Sequence, residues 1–597
     1  MTPSEAPAIT NPYRLSSGKS LETSVSFTTA VRRLAPLMTD LRGRVAIAFA
    51  ATIVSSVSGL MAPVIIGRAV DLYIRGGNYA GVLRSAALLL ASYLVGLVAS
   101  YVQTLQMGTV GRYVLFNLRN ALFTNLQQLP VDFFNQNKAG DLISRINNDT
   151  DKLNVFFAQA LVQLAGNVVL MTGAAVFLLT LHVRLGFAAL LPAIGVFLIT
   201  RAAGPWVRSR NRASLQALGA LSGEIQESVG NFRVIVAFNR VDYFREQFRA
   251  VNEGNYAAAV RAGLATNVFL PIYGLALNAA QLIVLAYGFY LIADGAVTVG
   301  VLIGFLLYVN SFYLPLRQLG VIWSSFQLAM ASLDRISEVL ALKPNMPQLP
   351  PEPAPAGSPG AVVAFQDVSF SYPGGQEVLH HVTFALERGK TYALVGPTGG
   401  GKTTTASLMA RLYDPTAGRV LLDGRDIRSF TPDERAKRIG FILQEPILFT
   451  GTVRDNIVYG NPALQALDDE QLRARLAARN LNGLLDRFEA GLETKVAATG
   501  DVSLGQKQLV AFMRAVLRDP EILILDEATA NIDTVTEQLL ERILRELPPS
   551  ITKVVIAHRL NTIENADEIY FINVGSITKA GSMQNALDLL LHGKRES

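Results

Sequence analysis

Residues 396–403 read Gly-Pro-Thr-Gly-Gly-Gly-Lys-Thr, and Thr404 follows them. Gly396, Gly399 and Gly401 let backbone N–H groups turn toward phosphate oxygens with no Cβ in the way. Lys402 has the reach and charge for β- and γ-phosphates, and the Thr403 hydroxyl suits a magnesium ion. This order and spacing point to a nucleoside triphosphate with Mg2+ as the ligand. A second constellation ends the run Ile522-Leu523-Ile524-Leu525-Asp526-Glu527. A buried strand there delivers two carboxylates, Asp526 to hold the metal and Glu527 to polarise a hydrolytic water. Gln444, after the apolar run Ile439 to Leu443, is placed to reach the metal or the attacking water. His558, after Val554-Val555-Ile556, stands where a γ-phosphate sensor is needed. Tyr372, just before Pro373-Gly374, suits either stacking on an adenine ring or closing a strand end as a core tyrosine.

Those side chains need a scaffold. An apolar strand from Thr391 to Val395 leads into the glycine-rich loop, and a helix from Lys402 to Leu412 follows it. The helix N-terminus then faces the phosphates, where free amides and the dipole favour anions. The acidic pair ends its strand at the edge where α/β sheets bind ligands. The pattern predicts an α/β phosphate-loop domain over residues 361–597. Within it, Val502-Ser503-Leu504-Gly505-Gln506 opens a helix twenty residues before Asp526. Phosphate-loop kinases and GTPases have nothing like that segment.

The rest of the chain has a different character. Of 597 residues, half are hydrophobic. Six apolar stretches, near 45–72, 83–110, 155–181, 185–203, 264–293 and 297–323, reach the roughly 20 residues needed to cross a bilayer as a helix. Gly59, Pro63 and Pro192 are tolerable inside them because neighbouring helices can re-satisfy the backbone. The second and fourth connections are long. Residues 201–262 hold nine arginines against five acidic side chains, and Arg32, Arg33, Arg42 and Arg44 precede the first span. That bias places the N-terminus and both long connections in the cytoplasm. Helical periodicity, as in Leu115, Leu118, Leu122 and Leu126, carries the helices beyond the membrane. Segments around Gly140–Arg145 and Val229–Arg233 read as cytoplasmic tips or as plain surface turns.

Residues 1–28 read as a tail without an apolar core, 29–342 as the membrane domain, and 343–360, with seven prolines, as a stiff linker. Cysteine is absent, which excludes disulfides and cysteine-bound metals. A net charge of +6 is modest, and arginines clustered in particular loops, not on one stripe, argue against a nucleic-acid partner.

Taken together, these residues resemble the ATP-binding cassette (ABC) transporters, and the six-span half resembles exporter-type half-transporters, from about residue 30 to 585. The resemblance implies ATP and Mg2+ as cofactors in a multi-pass protein of the cytoplasmic membrane. It makes Tyr372 the adenine-stacking residue and Gly396 to Thr404, Thr398 included, the Walker A loop. Gln444 becomes the Q-loop, Asp526 with Glu527 the Walker B pair, Ala530 to Asp533 the D-loop and His558 the switch histidine. The tips near Gly140 and Gly230 become coupling helices, the second docking on a partner chain. Ser503, Gly505 and Gln506 then close over ATP held by a second half-transporter subunit.

Several positions depart from the family. Its signature is Leu-Ser-Gly-Gly-Gln, whereas Val502 and Leu504 stand here at the first and third places. Leu504 gives up the freedom and close approach of glycine. The stretch Ala497 to Asp501 looks shortened and lacks a usual glutamate, and Lys507 replaces a common arginine. A weakened signature beside intact Glu527 and His558 leads to the expectation of a heterodimeric exporter with one degenerate ATP site. Its substrate would be an amphipathic drug, a lipid or a peptide. A homodimeric exporter or flippase, and an ATP-gated channel or regulator on the same architecture, are the alternatives.

Overall fold

The computed structural model describes residues 13–15, 39–344, 346–353, 360–496, 502–526, 533–556, 565–581, 584–586 and 589. They fall into two units. One holds 140–341 with the described part of 16–126; the other holds Gln127–Ala139, the described part of Leu342–Ser597, and residues 13–15.

The first unit is helical. Six stretches are long and apolar enough to span a membrane: Thr39–Ile74, Tyr79–Gln128, Ala139–Leu181, Val183–Gly230, Val241–Ala293 and Val299–Ala341. They run from 36 to 53 residues, up to more than twice the ~20 needed for spanning. The surplus comes from polar helical turns that continue each apolar stretch. Proline interrupts the backbone bonding of three helices, at Pro63, at Pro192 and Pro205, and at Pro315. Near Pro63 and Pro192, tyrosines of the helix Val299–Ala341 bond carbonyls of the loosened turns. The Tyr308 hydroxyl donates to Leu60 O at 2.6 Å, and Tyr313 donates to Ala189 O at 3.0 Å.

The segment around Gly140 is no plain surface turn. It forms the helix Ala139–Ser144, followed by a wider turn over Arg145–Asp149. Arg145 is 1% exposed and bonds Asp141 (2.9 Å), Glu338 (2.7 Å) and Arg335 O (2.7 Å). Asp149, also buried, pairs with Lys152 and Arg335 and accepts from the Ser332 hydroxyl. The segment near Gly230 differs: in the helix Phe232–Ala237 only Ile235 is buried, while Phe232 and Val234 stay exposed.

The second unit is built on a six-stranded sheet. Its order is Ser576–Lys579, Glu568–Asn573, Thr391–Val395, Thr552–Ile556, Ile522–Asp526 and Ile439–Ile442, parallel except at the first edge. Every residue of Ile522–Asp526 is buried, as a central parallel strand requires. An antiparallel sheet orders Glu377–Glu387, Ala361–Ser371, Ala417–Leu422 and Arg425–Asp426. Phe365, Phe384, Tyr392, Leu408 and Ile524 share one core, and Leu472, Phe512 and Leu525 another.

This unit is also discontinuous in sequence. Tyr13, expected in a solvated tail, is 3% exposed. Its hydroxyl donates to Lys343 O at 2.9 Å, while its carbonyl accepts from Asn137 Nδ2 at 2.7 Å. The proline-rich stretch is likewise held: Arg411 donates to Pro347 O, Leu349 N to Arg428 O, and Asp426 N to the Glu352 carboxylate. These bonds hold residues 347–352 to the same unit.

Candidate functional site

The loop Gly396–Gly401 connects the strand Thr391–Val395 to the helix Lys402–Met409. Gly401 caps that helix at φ 111°, a left-handed backbone that only glycine adopts cheaply. At Gly396, φ is 152° and a Cβ would run into the Ile572 carbonyl, so the loop lies flat against the neighbouring strand. The helix stops at Met409, short of the expected Leu412. Arg411 adopts a φ of 51° and its guanidinium turns back to Asp414 at 2.9 Å.

Lys402 is buried, and its ammonium donates to Gly396 O (2.8 Å) and Pro397 O (2.9 Å). Two of its partners are thus carbonyls of the loop itself. Thr403 Oγ1 donates to Asp526 Oδ1 at 3.3 Å, and Asp526 is 2% exposed. A hydroxyl beside a buried carboxylate offers two adjacent oxygens, the donor type that Mg2+ prefers. Thr404 is buried and bonds the Tyr372 hydroxyl at 3.0 Å, while Thr398 and Gly399 lie exposed on the loop.

Tyr372 is half-buried, which leaves both sequence readings open, adenine stacking and a strand-end core tyrosine. It meets Phe370 edge-on at 4.9 Å and Tyr413 at 5.3 Å. Gln444 lies two residues past the strand Ile439–Ile442 and is exposed. Because Ile442 pairs with Leu525, Gln444 emerges at the same sheet edge as Asp526. Ile556 pairs with Asp526 on the other side. His558 and Glu527 lie outside the described residues, as do Ala497 to Asp501 and Ala530 to Ile532.

Ser503, Gly505 and Gln506 form a second cluster at the start of the helix Leu504–Val516. Ser503 Oγ accepts from Gln506 N (3.2 Å) and Gln506 Oε1 accepts from Ser503 N (3.0 Å), a reciprocal capping box. Val502 is 5% exposed and packs in the core with Leu509 and Phe512, so it fills an apolar place. Leu504 is helical without positive φ. The freedom that glycine would have given is therefore unused by this backbone. What remains is a leucine side chain, 41% exposed, at the helix N-terminus. Asp533 caps the helix Thr534–Glu546, and the Thr536 hydroxyl and amide hold its carboxyl below the usual range.

Two neighbours of the site escaped sequence reasoning. Tyr413 packs on Tyr372 and accepts a hydrogen bond from Asn135 Nδ2 at 2.9 Å. Burial pushes the Tyr413 phenol up, and the Asn135 bond opposes this. No spacing rule joins two residues 278 apart.

The chain matches the ABC transporter transmembrane region over residues 45–316 and the ABC transporter family over 379–530. An uncharacterized ABC transporter ATP-binding protein of Bacillus subtilis is 33% identical, over 92% of this chain and 91% of its own length. A fatty acid ABC transporter ATP-binding/permease protein of Mycobacterium tuberculosis is 33% identical over 85% and 80%. A multidrug resistance ABC transporter ATP-binding and permease protein of Lactococcus lactis is 30% identical over 83% of each. Six apolar helices, a phosphate loop facing a buried acidic strand end, and full-length likeness to fused ATP-binding/permease proteins agree: the chain belongs to the ABC transporters, as an exporter-type half-transporter whose cytoplasmic ATP domain couples hydrolysis to transport across a membrane.

Proposed function

We propose that this chain is one half of a heterodimeric exporter that moves an amphipathic drug or lipid out of the cytoplasmic membrane by alternating access. Peptides are a less favoured substrate class. The boundaries proposed are a membrane domain over 29–342, a proline-rich connection over 343–360 and the ATP domain from 361. Within the ATP domain, Lys402 binds the β- and γ-phosphates, Tyr372 stacks on adenine, and Thr403, Gln444 and Asp526 hold Mg2+. The metal, when bound, offsets charge on the phosphate oxygens. Glu527 polarises the attacking water and His558 senses the γ-phosphate. Ser503, Gly505 and Gln506 serve the ATP held by the other subunit.

The observation that carries the heterodimer is Leu504, a side chain 41% exposed at a helix N-terminus that must approach phosphates closely. A Cβ and isobutyl group there hold a partner's triphosphate away from the first amides, which have no intrahelical partner. The partner's site would then be the degenerate one. The lipophilic substrate class is supported by the relatives named for fatty acids and for multidrug resistance. The intact cap of Ser503 and the unstrained φ of Leu504 favour a second reading, a homodimer that tolerates the substitution. Purified alone in lipid nanodiscs, the chain should show little ATPase activity. Robust turnover without another subunit would sink the heterodimer and leave the homodimer.

A further inference from the structure

Tyr413 and Asn135 belong to none of the motifs, yet both bear on the aromatic that the ATP reading assigns to the adenine. Tyr372 is fixed at its hydroxyl by Thr404 and boxed by two nearly perpendicular rings, Phe370 at 83° and Tyr413 at 87°. Phe370 and Tyr413 also touch each other, with centroids 5.6 Å apart. A ring held this way has few planes available, and stacking depends on its plane. Of the two neighbours, Phe370 is a strand residue of the buried core. Tyr413 instead sits in the turn after the phosphate-loop helix, and its hydroxyl takes the Asn135 amide as donor.

Asn135 lies on the helix Val131–Gln136, which Leu129 and Pro130 join to the 50-residue spanning helix Tyr79–Gln128. Asn137, just beyond, donates to Phe133 O and Tyr13 O, both at 2.7 Å, and accepts from Leu15 N. The short helix is therefore tied at its C-terminal end, and Asn135 is presented from a braced support.

We propose that Tyr413 is a positioning residue for the nucleotide base, acting through Tyr372, and that Asn135 makes this setting depend on the segment that follows the second spanning helix. The ligand chemistry is that of the purine ring, since Tyr413 contacts the aromatic and not the phosphate loop. The inference rests on Tyr372 being the adenine-stacking residue. A movement of the Val131–Gln136 helix then changes affinity for ATP, and ATP bound at Tyr372 restrains that helix in return, because coupling is reciprocal.

The test uses the full-length transporter in lipid nanodiscs, with ATP and inorganic tripolyphosphate each displacing a fluorescent ATP analogue. Tyr413→Leu should weaken ATP roughly two- to tenfold, the range of an aromatic pair, and leave tripolyphosphate unchanged. The conservative Tyr413→Phe and Asn135→Ala should weaken ATP by one smaller, common factor, and the double variant by no more than either. Equal loss of ATP and tripolyphosphate in Tyr413→Leu would mean a general disturbance of the loop and would overturn the positioning role. Unchanged ATP affinity in that variant would overturn it too. Additive effects of Tyr413→Phe and Asn135→Ala, or none from Asn135→Ala, would break the link to the Val131–Gln136 helix. Tyr372→Ala separates the two levels: if it leaves ATP affinity intact, the adenine assignment itself falls. If it weakens ATP while Tyr413→Leu does not, only the positioning proposal falls.

Discussion

Ser503 shows how one hydroxyl can serve a helix and a ligand together. As the cap of Leu504–Val516 it accepts from Gln506 N, which occupies a lone pair and leaves its own proton to donate. In the role proposed for Ser503 a partner's γ-phosphate would need a donor, so capping and that role do not compete. Lys402 donates to the Gly396 and Pro397 carbonyls, and in the proposed role phosphate oxygens would take their place. Removing it should therefore act on binding, whereas removing the base should act on turnover. In Lys402→Ala, titration with a fluorescent ATP analogue should show the affinity lost. In Glu527→Gln, ATP still binds while hydrolysis falls by about two to four orders of magnitude, the usual worth of a positioned base. Phosphate release at wild-type rate in Glu527→Gln would reassign the base.

At the scale of elements, four helices among the described residues of the ATP domain begin with the same device. Thr431 with Glu434, Thr452 with Asp455, Asp468 with Gln471, and Ser503 with Gln506 form capping boxes. The Thr452 amide, then its hydroxyl, hold the Asp455 carboxyl below the usual range. Its folded pKa is depressed, so the cap stabilises above the ordinary carboxylate value of about 4 and is lost as pH falls through the depressed value. The difference in Tm between wild type and Asp455→Asn, followed by circular dichroism, should be full at pH 7. It should shrink once the pH drops past about 4 and vanish well below it. A gap that persisted unchanged in acid would show that the charge is not what caps this helix. None of these caps enters the sequence reading, which rests on other local signals: the strand Thr391–Val395, the glycines after it and the all-apolar run before Asp526 each lie within a few residues. Asp141 and Arg145 stand four residues apart and pair at 2.9 Å. Nothing in that spacing says that Arg145 would be buried against Glu338, since the partner is 193 residues away. At Leu504 the residue type suggested lost flexibility, and only its φ shows that the helix never used it.

Over the whole molecule, the ATP-binding unit is not confined to the residues beyond 342. Phe133, fully buried, and Asn135 and Asn137 belong to it from far upstream, as does Tyr13. A fragment of residues 343–597 lacks the amide that Tyr413 accepts. Tyr413→Phe should therefore leave ATP half-saturation unchanged in the fragment while shifting it in the full chain, measured with the same fluorescent analogue. A shift of equal size in both would mean that the hydroxyl acts through groups within the fragment.

The discontinuity also sets an order in time. At about 5–20 residues per second of synthesis, the 278 residues that separate Asn135 from Tyr413 take on the order of tens of seconds to make. For that interval the ribosome has delivered Asn135 without the hydroxyl that will accept from it. The early piece of the ATP unit, Gln127–Ala139, must therefore wait at the end of the second spanning helix until the rest of its fold has been made.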